Sequence, residues 1–146
     1  MDNKLGFKMK GDLMGNVAAL NELMSVQKHF ENQISGATTV PLFIPKYDAL
    51  LESITIYCTN ESHNTNTNYL TVDVQNGSNS VLSSVYNLND NNSWANNKVV
   101  ELKVTQHELL EKNSVLNLVI GAQGTGGTLD NFFVVVNYRV PMTQYS

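Results

Sequence analysis

Cysteine is nearly missing from this chain: Cys58 is the only one among 146 residues, so no internal disulfide framework is possible. A nucleophilic role for it would need a histidine partner and an electropositive setting, and neither stands nearby in the sequence. The segment Ser53-Ile54-Thr55-Ile56-Tyr57-Cys58 instead places the thiol on the apolar side of a strand, as a core residue. Charge is scarce as well, at 15% of residues against about 25% in ordinary globular domains. Positive charge is the scarcer sign. A net charge of −4 and an isoelectric point near 5.2 exclude the concentrated basic face of a nucleic-acid binder. The one basic cluster, Lys4, Lys8 and Lys10, sits at the start and reads as solvated. Apolar runs long enough to cross a bilayer are lacking, and Met1-Asp2-Asn3-Lys4 leads into no secretory h-region. The expectation is synthesis in the cytoplasm, with no membrane or nucleic-acid partner.

Asparagine fills the place left by charge, with 20 copies. Asn solubilises a surface without charge, hydrogen-bonds its own backbone in turns and tolerates the left-handed conformation. The bias suits a domain with many loops. At this length one domain with one core is expected.

The hydrophobic period changes near Gly36. Before it, Leu13, Val17, Leu20 and Met24 recur at spacings of four, three and four, which predicts a helix over 12–34 with Asp12 as its cap and Gly36 as its stop. The next positions on that face are Gln27 and Glu31, so the stripe fades after two heptads. Residues 1–35 are therefore expected to form a helical arm whose Leu13, Val17, Leu20 and Met24 either pack on its own domain or make the contact to a partner or to further copies.

After Gly36 the pattern is that of strands. Seven are predicted, over 38–44, 51–59, 69–75, 81–88, 99–104, 115–120 and 132–140. Ile54, Ile56 and Cys58 alternate with polar neighbours, as do Leu70, Val72 and Val74, and Leu116, Leu118 and Ile120. Asn76-Gly77 is a hairpin signal, Pro41 and Pro45 confine the first strand to an edge, and Thr105 with Glu108 has the spacing of a capping box for a helical turn over 106–111. The fold class expected is all-β, an antiparallel β-sandwich over 36–146 of jelly-roll or immunoglobulin-like topology, with the helical arm before it.

Chemistry has little foothold in these residues. Gly121-Ala122-Gln123-Gly124-Thr125-Gly126-Gly127 lacks the Lys-Ser/Thr pair and following helix of a phosphate loop and reads as a flexible hairpin loop. The Asn-rich run 87–92 carries one carboxylate and lacks the distal Glu of a calcium loop. His29, His63 and His107 show no zinc spacing, and the carboxylates are spread as solvated faces are. No catalytic, metal or cofactor residues are predicted. Trp94, beyond the Asn-rich run, either anchors its loop as a buried side chain, the favoured reading, or stacks on a sugar ring with Tyr57 or Tyr86 nearby.

Several segments together carry a resemblance. Gly36-Ala37-Thr38-Thr39-Val40-Pro41-Leu42-Phe43, Thr67-Asn68-Tyr69-Leu70-Thr71-Val72, the run 110–120, Gly124-Thr125-Gly126 and Val134-Val135-Val136-Asn137-Tyr138-Arg139 resemble the small β-sandwich structural proteins of tailed bacteriophage virions. These are the capsid decoration, head-fibre and auxiliary capsid proteins, and the likeness spans about residues 36–140. Many members carry Gly-Asp where this chain has Lys112-Asn113-Ser114. The resemblance implies a non-enzymatic protein of the virion, held in multiple copies against partners such as the major capsid protein, as a homo-oligomer. The alternative is a glycan-binding module for host-surface adhesion, built around Trp94.

Overall fold

The computed structural model describes residues 22–63, 66–90, 96–105 and 108–141. All regular structure among them is β. One antiparallel sheet has the order β1 (Glu22–Phe30), β12 (Phe132–Val140), β3 (Ala49–Tyr57), β8 (Val100–Leu102), with β9 (Leu109–Leu110) also on β3. The other runs β2 (Thr38–Phe43), β10 (Leu116–Gln123), β5 (Tyr69–Asn76), β6 (Asn79–Ser80), with β7 (Tyr86–Asn87) also on β5. A separate ribbon pairs β4 (Asn60–His63) with β11 (Gly127–Asp130).

The alternating residues predicted for the core form it. Ile54, Ile56 and Cys58, Leu70, Val72 and Val74, and Leu116, Leu118 and Ile120 are all buried. They meet Phe132, Val134 and Val136 of β12 in one cluster. Cys58 is a buried free thiol. β12 is central to its sheet, between β1 and β3, yet its near-continuous apolar run is covered on one face only: Phe133 and Val135 stay half-buried. Asn76-Gly77 opens the hairpin of β5 and β6, in which Asn76 pairs with Asn79. Gly77 takes a φ of +66°, a conformation that costs an L side chain its Cβ clearance.

If β6 and β7 count as one interrupted strand, β8 and β9 as another, and the ribbon is set aside, eight strands remain. Their order is first, eighth, third, sixth in one sheet and second, seventh, fourth, fifth in the other. The first two strands thus lie in different sheets, whereas an immunoglobulin-like order keeps them side by side.

Four local expectations are corrected. The helix predicted over 12–34 is a strand where it is described, Glu22–Phe30, in unbroken register with β12. The helical periodicity gives out at Gln27, and the open edge of β12 offers the segment a full hydrogen-bond ladder, so tertiary pairing overrides local pattern. Val26 and Phe30 pack on the core while Leu23, Ser25, Gln27 and His29 lie exposed. The sandwich therefore takes in residues before Gly36. Second, the helical turn expected over 106–111 is a strand in part of its described residues: Leu109 and Leu110 pair with Leu50 and Ala49, while residues 106 and 107 lie outside the described residues. Third, the strand expected over 81–88 is broken into a single bridge at Leu82 and the short β7. Fourth, the glycine-rich loop is no hairpin. Gly126 N–H closes a turn on the Gln123 carbonyl, and the chain leaves the β10 sheet for the β11 ribbon.

Candidate interaction surface

The strand registers give the sandwich two distinct ends. Glu22 lies opposite Val140 at one end of the β1/β12 pair, and Phe30 lies opposite Phe132 at the other, about 27 Å along the strands. The described chain therefore begins and finishes at the same end.

At that end sits an apolar groove of ≈ 290 Å³ lined by Met24, Phe43, Ile44, Pro45, Lys46, Tyr47, Tyr138 and Val140. The Phe43 and Tyr138 rings pack at 4.5 Å and form its floor. Ile44 is 54% exposed, Met24 40% and Tyr47 43%. β2 ends at Phe43, and Pro45, two residues on, has no N–H with which to continue the ladder. Exposed apolar clusters of this kind mark contact surfaces.

The opposite end is built from asparagine and from one histidine. Three non-glycine residues of the described chain have positive φ, and all are asparagines: Asn97 and Asn131 lie at this end, while Asn113 sits at the groove end, its N–H donating to the Pro45 carbonyl. Others act as backbone acceptors between loops. Asn66 Oδ1 accepts from Asp90 N–H at 3.0 Å, Asn68 Oδ1 from Thr125 N–H at 2.8 Å, and Asn96 Oδ1 from Glu61 N–H at 2.7 Å. The asparagine bias thus has a structural use at this end: side-chain amides satisfy loop backbone that no ladder reaches.

His63 closes the arrangement. Its Nδ1 lies 3.1 Å from each Glu61 oxygen and its Nε2 3.0 Å from Asp90 Oδ1. Ionised carboxylates only accept, so this geometry suits the doubly protonated ring. Burial opposes the charge, but Glu61 and then Asp90 outweigh it and raise the His63 pKa above its ordinary 6.5. Burial raises the Glu61 carboxyl above 4.5, His63 pulls against that rise, and Asp90 adds to it. A ring that donates at both nitrogens has no lone pair for base catalysis. Beside it lies a cleft of ≈ 330 Å³ lined by Ser35, Ser62, His63 and residues 125–128. The arrangement is a clasp between β4 and the residue before the 91–95 segment.

Of the sequence-predicted contact residues, Met24 lines the apolar groove, and Leu13, Val17 and Leu20 lie outside the described residues, as does Trp94. Tyr57 is half-buried, stacks edge-on against Phe133 at 5.9 Å and donates its hydroxyl to Asn97 Oδ1. Tyr86 is half-buried, and burial raises its pKa. Sequence reasoning took the carboxylates as solvated, and two are not. Glu61 is buried in the clasp; Asp73 is buried on β5, where it accepts from Val74 N–H, Gln75 Nε2 and Ser80 Oγ. The available signal was Glu61-Ser62-His63, which sets acid and imidazole on one face of a strand, but Asn60–His63 carries no apolar alternation to reveal the strand.

No protein-family model matches the chain, and no curated protein matches it. Among solved structures, it is similar to a chain of the cyanophage Pam1 capsid asymmetric unit, with a TM-score of 0.49 and 17% identity, covering 83% of this chain and 85% of that one.

Proposed function

We propose that this chain is a virion structural protein: a non-enzymatic jelly-roll sandwich held on a phage capsid or another virion part in multiple copies, of the decoration or head-fibre kind. The jelly-roll reading rests on the strand order, in which consecutive strands alternate between sheets except for the hairpin of the fourth and fifth, and the last returns beside the first. The functional reading draws on the sequence resemblance over residues 36–140, because a fold alone names no function.

The observation that carries it is the polarity of the molecule. Both ends of the described chain leave beside the exposed Met24, Ile44 and Tyr47 groove, while the far end presents asparagine-tied loops and the His63 clasp. An attachment protein needs such a division, one end to bind and one to stay soluble at high local concentration. In this reading Leu13, Val17 and Leu20, which lie outside the described residues, add contacts to the partner. Repetition on a symmetric particle makes weak single contacts sufficient.

The test is proteomic. In density-gradient-purified particles of the phage that encodes it, the chain should co-band with the major capsid protein at many copies per particle. Recovery only in the soluble fraction of the lysate would end this reading.

A further inference from the structure

Three of the four edges of the two five-stranded sheets are protected. β8 and β9 on one edge, and β6 and β7 on another, are only two or three residues long. β2, a third edge, contains Pro41 and meets β10 across a register shift at Leu116/Asn117. Shortness, proline and bulges are how natural sheets prevent edge pairing. β1 has none of these. It runs nine residues from Glu22 to Phe30 without proline or bulge, and among the described residues it pairs with β12 alone. An edge of this length without proline or bulge is a surface for strand addition.

We propose that the occupant is β1 of a second copy, paired antiparallel about a two-fold axis at Ser25. A two-fold arrangement sets each residue opposite its mirror position, so the sequence must complement itself. Centred on Ser25, Met24 faces Val26 of the second copy, Leu23 faces Gln27, and Lys28 faces position 22, a glutamate. The two-fold gives the Lys–Glu pairing twice. A lone edge lysine normally repels strand addition; here the register turns it into an attraction. The result is a sheet running through both copies, with the two Met24 side chains and their grooves brought close to the axis. The dimer does not depend on the virion reading, and either can fail alone.

The experiment is light scattering on the full chain across a concentration series, with circular dichroism to confirm folding. The expected mass is twice the 16.2 kDa of one chain. Lys28→Glu should weaken the dimer by about tenfold or more, since two attractions become repulsions. Lys28→Glu combined with Glu22→Lys should restore it. A single-chain mass throughout, or an assembly indifferent to Lys28→Glu, would overturn the proposal. If the variant does not fold, hydrogen exchange on the unaltered chain decides: protection of β1 amides that rises with concentration supports the dimer. Protection independent of concentration means that the chain's own residues 1–21 cover the edge, and overturns it.

Discussion

Glu22 and Val140 are direct partners across the β1/β12 pair, so the chain enters and leaves its sandwich side by side. The described chain therefore begins and ends at the end that bears the apolar groove.

That geometry predicts how attachment will respond to charge. Ile44→Asp or Tyr47→Asp places a carboxylate in the groove, at positions 54% and 43% exposed, where folding should tolerate it. Binding to particles that lack this protein should fall at least tenfold, measured by co-sedimentation, while Asp90→Asn at the far end should leave it unchanged. Equal loss from both substitutions would mean that the groove is not the binding surface.

The His63 clasp predicts a pH dependence. Its folded-state pKa lies above 6.5, so its contribution is complete below that pH and fades as pH rises through the higher folded value. Glu61 is raised as well, so ionising it in its buried site costs stability in the same direction. The melting temperature should decline from about pH 6 to pH 8, within the range where histidine titrates. His63→Gln should flatten this decline, and thermal scans of both proteins over that range would show it.

Backbone strain predicts a contrast between two glycines. Gly124 has φ of +59°, and a Cβ there would collide with the Asn68 side chain and the Thr67 carbonyl. Gly36 has open space around it and no positive φ. Gly124→Ala should cost about 1–3 kcal/mol, and Gly36→Ala should be neutral or slightly stabilising. Urea titrations of the two variants measure the difference.

Neighbouring residues of β10 predict the depth of the core. Leu118 is fully buried between the sheets, and Val119 points outward and is half-buried. Leu118→Ala should cost about 2–5 kcal/mol. Val119→Ala should cost less than about 1 kcal/mol, because it leaves no closed cavity.

The alternation of Ile54, Ile56 and Cys58 and its counterparts in β5 and β10 was legible without coordinates, because period two on a half-buried sheet is a local property of the chain. So was the Asn76-Gly77 hairpin, since a tight turn needs a residue free to take positive φ. The sequence by itself thus determined the all-β core, the single buried thiol and most of the longer strands. Tertiary structure decided the rest. Residues 22–30 lost their helical expectation to the open edge of β12, Leu109 and Leu110 were drawn onto β3, and polar Asn60–His63 became a strand against β11. Only the fold brings Asp90 to a ring 27 positions away in sequence. Hydrogen-bond ladders and ion pairs between distant segments are set by which edges lie open after the core closes, and no window of neighbouring residues carries that information.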